Sequence, residues 1–140
     1  MGTETLKWAS ESLSGLDPAA MPPSVVGTPF KVEECFKDFW STLAKNAIRY
    51  RKTGKSFLAS KDGRQLLFAE GGTGASNFAD SSYILCHCEN VERIIFVGTG
   101  GGIGDQVKSA DVNVPPFCVR LDKVLEILLP PKAPATADPF

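Results

Sequence analysis

The chain has 140 residues, 43% hydrophobic and 22% charged, with 15 Lys and Arg against 16 Asp and Glu. That is room for one ordinary domain with a real core, and it offers no net basic field to hold nucleic acid. No apolar stretch approaches the roughly 18 residues that a membrane helix needs. The opening residues MGTETLKWAS lack the charged-then-apolar layout of a secretory signal, and Leu6 stands where a myristoylation motif requires Ser or Thr. A cytoplasmic protein is expected.

Residues 1–23 combine a short helical stretch, TETLKWASESL, with the loop GLDPAAMPP. They read as an N-terminal extension to a domain spanning 24–140. Ser24 to Val26 form a short apolar strand that Gly27 breaks, and Thr28-Pro29 open a helix. Thr suits its N-cap, and Pro the first helical position, where a missing N–H costs nothing. Apolar residues at Val32, Cys35, Phe36, Phe39, Trp40, Leu43 and Ala47 then predict one buried helical stripe.

KSFLASKDGRQLLFAE predicts a hairpin turning at Asp62-Gly63. GGTGASN, residues 71–77, feeds a helix ending near Glu92, and RIIFVG gives a buried strand. DVNVP and FCVRL read as further strands. LLPPKAPATADPF, rich in Pro and Ala, is no core element. Strands and helices in this order predict an α/β fold, a mixed β-sheet flanked by helices.

Four cysteines (Cys35, Cys86, Cys88 and Cys118) raise the question of a metal. Cys86-His87-Cys88 lies in the predicted helix, where residues two apart point to different faces. No second Cys/His pair completes a tetrahedral site. No metal is expected, and the cysteines read as reduced and mostly buried. His87 reads as a mid-helix structural or surface residue.

The chemistry concentrates in the glycine loops. RIIFVGTGGGIGDQVKSADVNVP, residues 93–115, is not a dinucleotide fingerprint: Ile103 occupies the third glycine position, and the trailing DQVKSADVNVP alternates like a strand. Val107 before Lys108-Ser109 rules out a P-loop. Three loops, at Gly27, at Gly71 to Gly74 and at Gly98 to Gly102, each follow a predicted strand. In open α/β sheets that is where a ligand sits, and bare glycine N–H groups can approach an anion. Lys31 and Thr99 add a charge and a hydroxyl, and together they outline an oxyanion site of phosphate size.

VVGTPFKVEE, GGTGASN, IIFVGTGGGIGDQVKSADVNVP and LLPPKAPATAD, in that order, resemble the N-terminal half of the nucleoside phosphorylases. That superfamily includes uridine and purine nucleoside phosphorylases and the related nucleosidases. The resemblance implies that Gly27 and Lys31 meet phosphate, with Thr28 standing where the family has aspartate and Lys31 where it has arginine. It implies that Gly98 and Thr99 also touch phosphate, Thr99 reaching the ribose hydroxyls as well. Phe96 stands where uridine phosphorylases carry an arginine. Lys52, or its neighbour Arg51, matches a cation lent across a subunit interface.

The implied reaction is pentosyl transfer from a nucleoside to inorganic phosphate as co-substrate, with no other cofactor. The family's base pocket lies in a second half beyond these residues, so the expected assembly is a homo-oligomer or a pairing with a chain that supplies that half. Two further readings stand beside it: a hydrolytic nucleosidase of the same superfamily, and a non-catalytic phosphate- or nucleoside-binding or interaction protein.

Overall fold

A computed structural model describes residues 1–35, 38–100, 102, 104–115, 117–118 and 135–136. They fall into two units, Met1–Thr99 and Gly100–Phe140.

In the first unit, α1 (Thr3–Ser14) ends at Gly15, whose φ of 71° lets its N–H return to the Glu11 carbonyl at 2.8 Å. This left-handed cap satisfies a helix-end carbonyl that would otherwise be orphaned. Buried serines fix the next turn. Ser10 Oγ donates to the Leu16 carbonyl at 2.7 Å, and Ser14 Oγ donates to the Ser10 carbonyl and accepts from Leu16 N–H. A 3₁₀ turn (Pro18–Ala20), capped by the Asp17 carboxylate, leads to Met21.

The sheet order is β2 (Arg49–Thr53), β3 (Ser56–Lys61), β4 (Arg64–Glu70), β1 (Ser24–Thr28), β5 (Arg93–Phe96). β1 runs parallel to both of its neighbours, with Val26 opposite Phe68 on β4 and Ile95 on β5. β2, β3 and β4 form an antiparallel meander. The architecture is therefore the expected mixed sheet with helices against it. The hairpin turns at the expected dipeptide, Asp62 and Gly63, both at positive φ, as its twist demands.

One face of the sheet buries Val25, Leu58, Leu67 and Ala69 against Leu85 and Cys88, from α4 (Ala75–Cys86) and the turn after it. Leu16 and Met21 join this core, and Leu6 and Leu13 of α1 pack on it, so the first 23 residues carry part of the apolar interior. The other face holds an aromatic cluster. Phe39 of α3 (Phe39–Lys45) stands edge-on to Phe68 at 4.9 Å, and Trp40 contacts Phe57 and Tyr50 at 4.7 and 4.6 Å.

Four elements differ from the sequence reading. β1 runs past Gly27 to Thr28, because the ladder to β4 continues and Gly71 N–H donates to the Thr28 carbonyl. The single helix expected from Thr28 is two short ones, α2 (Val32–Cys35) and α3. Asp38 (φ −98°, ψ 6°) re-aims Phe39 and Trp40 at the sheet. β2 is silent in the sequence because RYRKT exposes four of its five residues and so carries no apolar alternation. α4 stops at Cys86 with His87 as its C-cap, six residues before the expected end.

In the second unit, the stretch expected to alternate as a strand through DVNVP makes turns over residues 104–110 and runs on through 111–115 without forming a strand. Asp111 Oδ2 accepts from Lys108 N–H at 2.8 Å and Val107 N–H returns to Gly104, while Val112 and Val114 lie exposed. Side-chain and local backbone bonds of this kind compete directly with ladder formation. β6 (Phe117–Cys118) pairs antiparallel with β7 (Ala135–Thr136). The rest of FCVRL, and LLPPKAPATADPF apart from that pair, lie outside the described residues, as does Phe36 of the helical stripe. Among the described residues no helix is long and apolar enough to cross a membrane.

Candidate functional site

Because β1, β4 and β5 are mutually parallel, their carboxyl ends lie at one end of the sheet, and the loops that leave them meet there. They enclose a cleft of about 460 Å³, within the roughly 300–1,000 Å³ usual for small-ligand sites. Pro29 and Phe30 come from the loop after β1. Gly72, Thr73 and Gly74 come from the loop after β4, Phe78 from α4, and Phe96, Gly98 and Thr99 from the end of β5 and beyond.

The loops hold one another. Gly71 N–H donates to the Thr28 carbonyl at 2.9 Å, and Thr73 Oγ1 donates to the Pro29 carbonyl at 3.5 Å. Asn77 Nδ2 donates to the Thr73 carbonyl at 2.7 Å. Gly72 and Gly74 have φ of 78° and 103°, conformations costly to any side chain with a Cβ. Gly74 is also the N-cap of α4 and supplies no side-chain acceptor to its first turn. Thr28 is 1% exposed, and its Oγ1 accepts from Phe30 N–H at 3.3 Å. That bond holds the first loop in a turn, where the sequence suggests a helix cap.

Of the candidate residues from the sequence, Gly98 and Thr99 line the cleft. Gly27 lies beneath them in β1, where its carbonyl accepts from Val97 N–H at 2.9 Å, so its backbone is turned toward β5. Lys31 is exposed beyond the first loop and does not line the cleft. Lys52 sits on β2, 3.5 Å from Glu33 of α2 and 5.6 Å above the Phe57 ring; Arg51 beside it is exposed.

The sequence reading misses the aromatic lining of Phe30, Phe78 and Phe96. Phe78 and Phe96 pack with ring centroids 4.3 Å apart. A Cβ on Gly27 would lie 3.6 Å from the Phe96 ring and one on Gly98 3.3 Å from it, so the ring rests across two of the loop glycines. In the sequence Phe96 stands out only as a missing arginine. Among the described residues, none that lines this cleft carries a charged side chain.

The Cys86-His87-Cys88 triplet does other work. Cys86 is exposed and Cys88 buried, both free, so within this pair only Cys88 follows the expectation of mostly buried cysteines. His87 Nδ1 lies 2.8 Å from the Tyr83 carbonyl and its ring packs on Tyr83 at 4.4 Å, closing the helix end. Burial pushes the Cys88 thiol above its ordinary value; a hydrogen bond with Ser10 opposes this, while Asp17 and Cys86 add to it. Among the described residues no group of three His, Cys, Asp or Glu side chains could hold a metal ion.

Neither a protein-family model nor a curated protein matches the sequence. The fold is a partial nucleoside phosphorylase-like α/β fold. It is similar to the crystal structure of AMP nucleosidase from Bacteroides thetaiotaomicron VPI-5482, with a TM-score of 0.65 and 16% identity over 96% of this chain. The chain spans 54% of that protein's length. A likeness at that identity establishes the fold.

Proposed function

We propose that the cleft is the pentose-facing part of a site that cleaves the N-glycosidic bond of a nucleoside. The observation that carries this reading is the convergence of three strand-end loops, two of them glycine-rich, with the Thr99 and Thr73 hydroxyls at their rim, on the N-terminus of α4. Such a site offers N–H groups and hydroxyls to ribose oxygens from a rigid sheet end.

With phosphate as the acceptor, Gly98 and Thr99 hold the anion, Gly27 supports the loop from below, and Lys31 contributes charge from the loop after β1. Lys52 acts from a neighbouring copy. A positioned phosphate would both attack the anomeric carbon and stabilise the oxocarbenium-like transition state, and no other cofactor is required. Residues outside this chain, in a second half or another subunit, would hold the base. The hydrolytic alternative, with water as acceptor, draws support from the cation-free lining and from the structural likeness to a nucleosidase.

The test is release of free base from adenosine, inosine and uridine by the protein at its natural length, with and without phosphate. Base release that Thr99→Ala lowers about tenfold or more, as for a lost transition-state hydrogen bond, is the expected result. Release that appears only with phosphate selects phosphorolysis; release in its absence selects hydrolysis. Absence of release from all three nucleosides under both conditions would defeat the reading.

A further inference from the structure

The two edges of the five-stranded sheet differ in chemistry. β2 carries Arg49, Arg51 and Lys52, charges that discourage pairing with another chain. β5 carries Ile94, Ile95 and Phe96, and Val97 follows, with no charge after Arg93. A continuous apolar run of this kind marks a strand set between parallel neighbours and covered on both faces. β5 has one parallel neighbour, β1, and among the described residues no strand on its other side. Its side chains show the deficit. Ile95 and Val97 are 38% and 41% exposed and Phe96 44%, against 0% for Val25 and Leu67 in the sheet interior. Ile95 stands level with Val26 and Phe68, on the face of the aromatic cluster, and Phe96 meets Phe78 on the opposite face, so both faces of β5 are incompletely covered. The backbone agrees. Arg93 and Val97 give their N–H groups to the Pro23 and Gly27 carbonyls at 3.0 and 2.9 Å, so the alternation of a parallel strand turns the N–H and C=O groups of Ile94 and Phe96 away from β1.

We infer that the open side of β5 is the joint at which the rest of this fold attaches: a strand from outside residues 1–140 pairs there, parallel to β5, with uncharged apolar side chains beside Ile95 and Val97. Length and symmetry select this occupant. AMP nucleosidase matches 96% of this chain, yet the chain spans 54% of it, so nearly half of a protein built on this fold has no counterpart in these residues. A second copy of the chain suits the edge poorly. A two-fold axis sets an edge strand antiparallel to its own copy, whereas the apolar run calls for a parallel neighbour with cover on both faces. The inference rests on the fold and goes beyond the nucleoside reading, since it assigns no ligand group.

The experiment is amide hydrogen exchange resolved to single residues by NMR, on the protein at its natural length. Ile94 and Phe96 exchange as slowly as Ile95 and Val97, at least about a hundredfold slower than in the unfolded chain. Nuclear Overhauser contacts join them to residues outside 1–140 in the pattern of parallel strands. Ile95→Lys sets a charge against the incoming strand and leaves the β1 backbone ladder alone. It speeds exchange at Ile94 and Phe96 about tenfold or more, while Val25 and Leu67 stay protected and so report a folded core.

Fast exchange at Ile94 and Phe96 beside slow exchange at Ile95 and Val97 makes β5 a true edge and overturns the inference. Contacts from β5 to an antiparallel second copy of itself, or to another segment within residues 1–140, overturn it as well. So does exchange unmoved by Ile95→Lys in folded protein, because the apolar side chain would then take no part in the joint. Base release bears on the cleft alone: its absence defeats the nucleoside reading and leaves the joint standing, and an open β5 edge does the reverse.

Discussion

Two single positions show how local chemistry sets stability in this fold. Thr53 Oγ1 is buried without a hydrogen-bond partner among the described residues, and its residue is 5% exposed. An unmade hydrogen bond of this kind costs roughly 1–3 kcal/mol. Thr53→Val keeps the shape and removes the polar atom, so a gain of about 1 kcal/mol in urea unfolding is expected; a loss would mean that the hydroxyl has a partner in solution. Gly15 is the opposite case. Its φ is 71°, and a Cβ there would lie 2.6 Å from the backbone of Gly54 and Thr53. The left-handed conformation alone costs a side chain roughly 1–2 kcal/mol, and the clash against backbone adds to it. Gly15→Ala is therefore expected to destabilise by at least about 2 kcal/mol, measured in the same way; a change within error would show that the α1 end swings free of the β2–β3 turn. Neither position is legible in the sequence, since each depends on a contact between residues some 40 apart in the chain.

At the scale of elements, legibility follows apolar pattern and turn chemistry. The β3–β4 hairpin and α1 are visible because each carries its own period or turn dipeptide. β2 is not, because an edge strand exposes Arg49, Tyr50, Arg51 and Lys52, charges that also discourage pairing with another chain. Residues 104–115 mislead in the other direction: their alternation is real, yet Asp111 captures the backbone in a local turn. The end of α4 divides its two thiols. Iodoacetamide at mild alkaline pH should modify Cys86 quickly and Cys88 only on unfolding, as peptide mass spectrometry would register; equal rates would mean that the α4 end opens in the native state. The raised Cys88 thiol has a sign as well. Below the ordinary value of 9.0 both folded and unfolded chains keep the proton, and that contribution to stability is intact. Above it the unfolded chain ionises first, so stability falls as pH rises from about 9 toward the folded value. Cys88→Ala should flatten that part of the pH–stability curve, whatever cavity cost it adds at neutral pH; an unchanged slope would assign the decline to other groups.

Over the whole molecule, the sequence shows that three glycine loops follow three strands, and the parallel pairing of β1, β4 and β5 is what brings them to one end. What composes the cleft is less visible. Gly98 and Thr99 are legible as loop residues beyond a strand end, but Phe30 and Phe78 look like ordinary core positions, since an aromatic side chain gives no sign in sequence of which way it points. The same topology has a kinetic consequence. The β2–β3–β4 meander joins strands a few residues apart, whereas β1 must close chain segments of about 40 residues to meet β4 and about 70 to meet β5. Loop-closure entropy makes the distant pairings the slower ones. In pulse-labelled hydrogen exchange during refolding, amides of Leu58 and Leu67 should gain protection before those of Ile94 and Ile95. The cleft at the sheet end, which exists only once β1 lies between β4 and β5, would then be the last part of this unit to form.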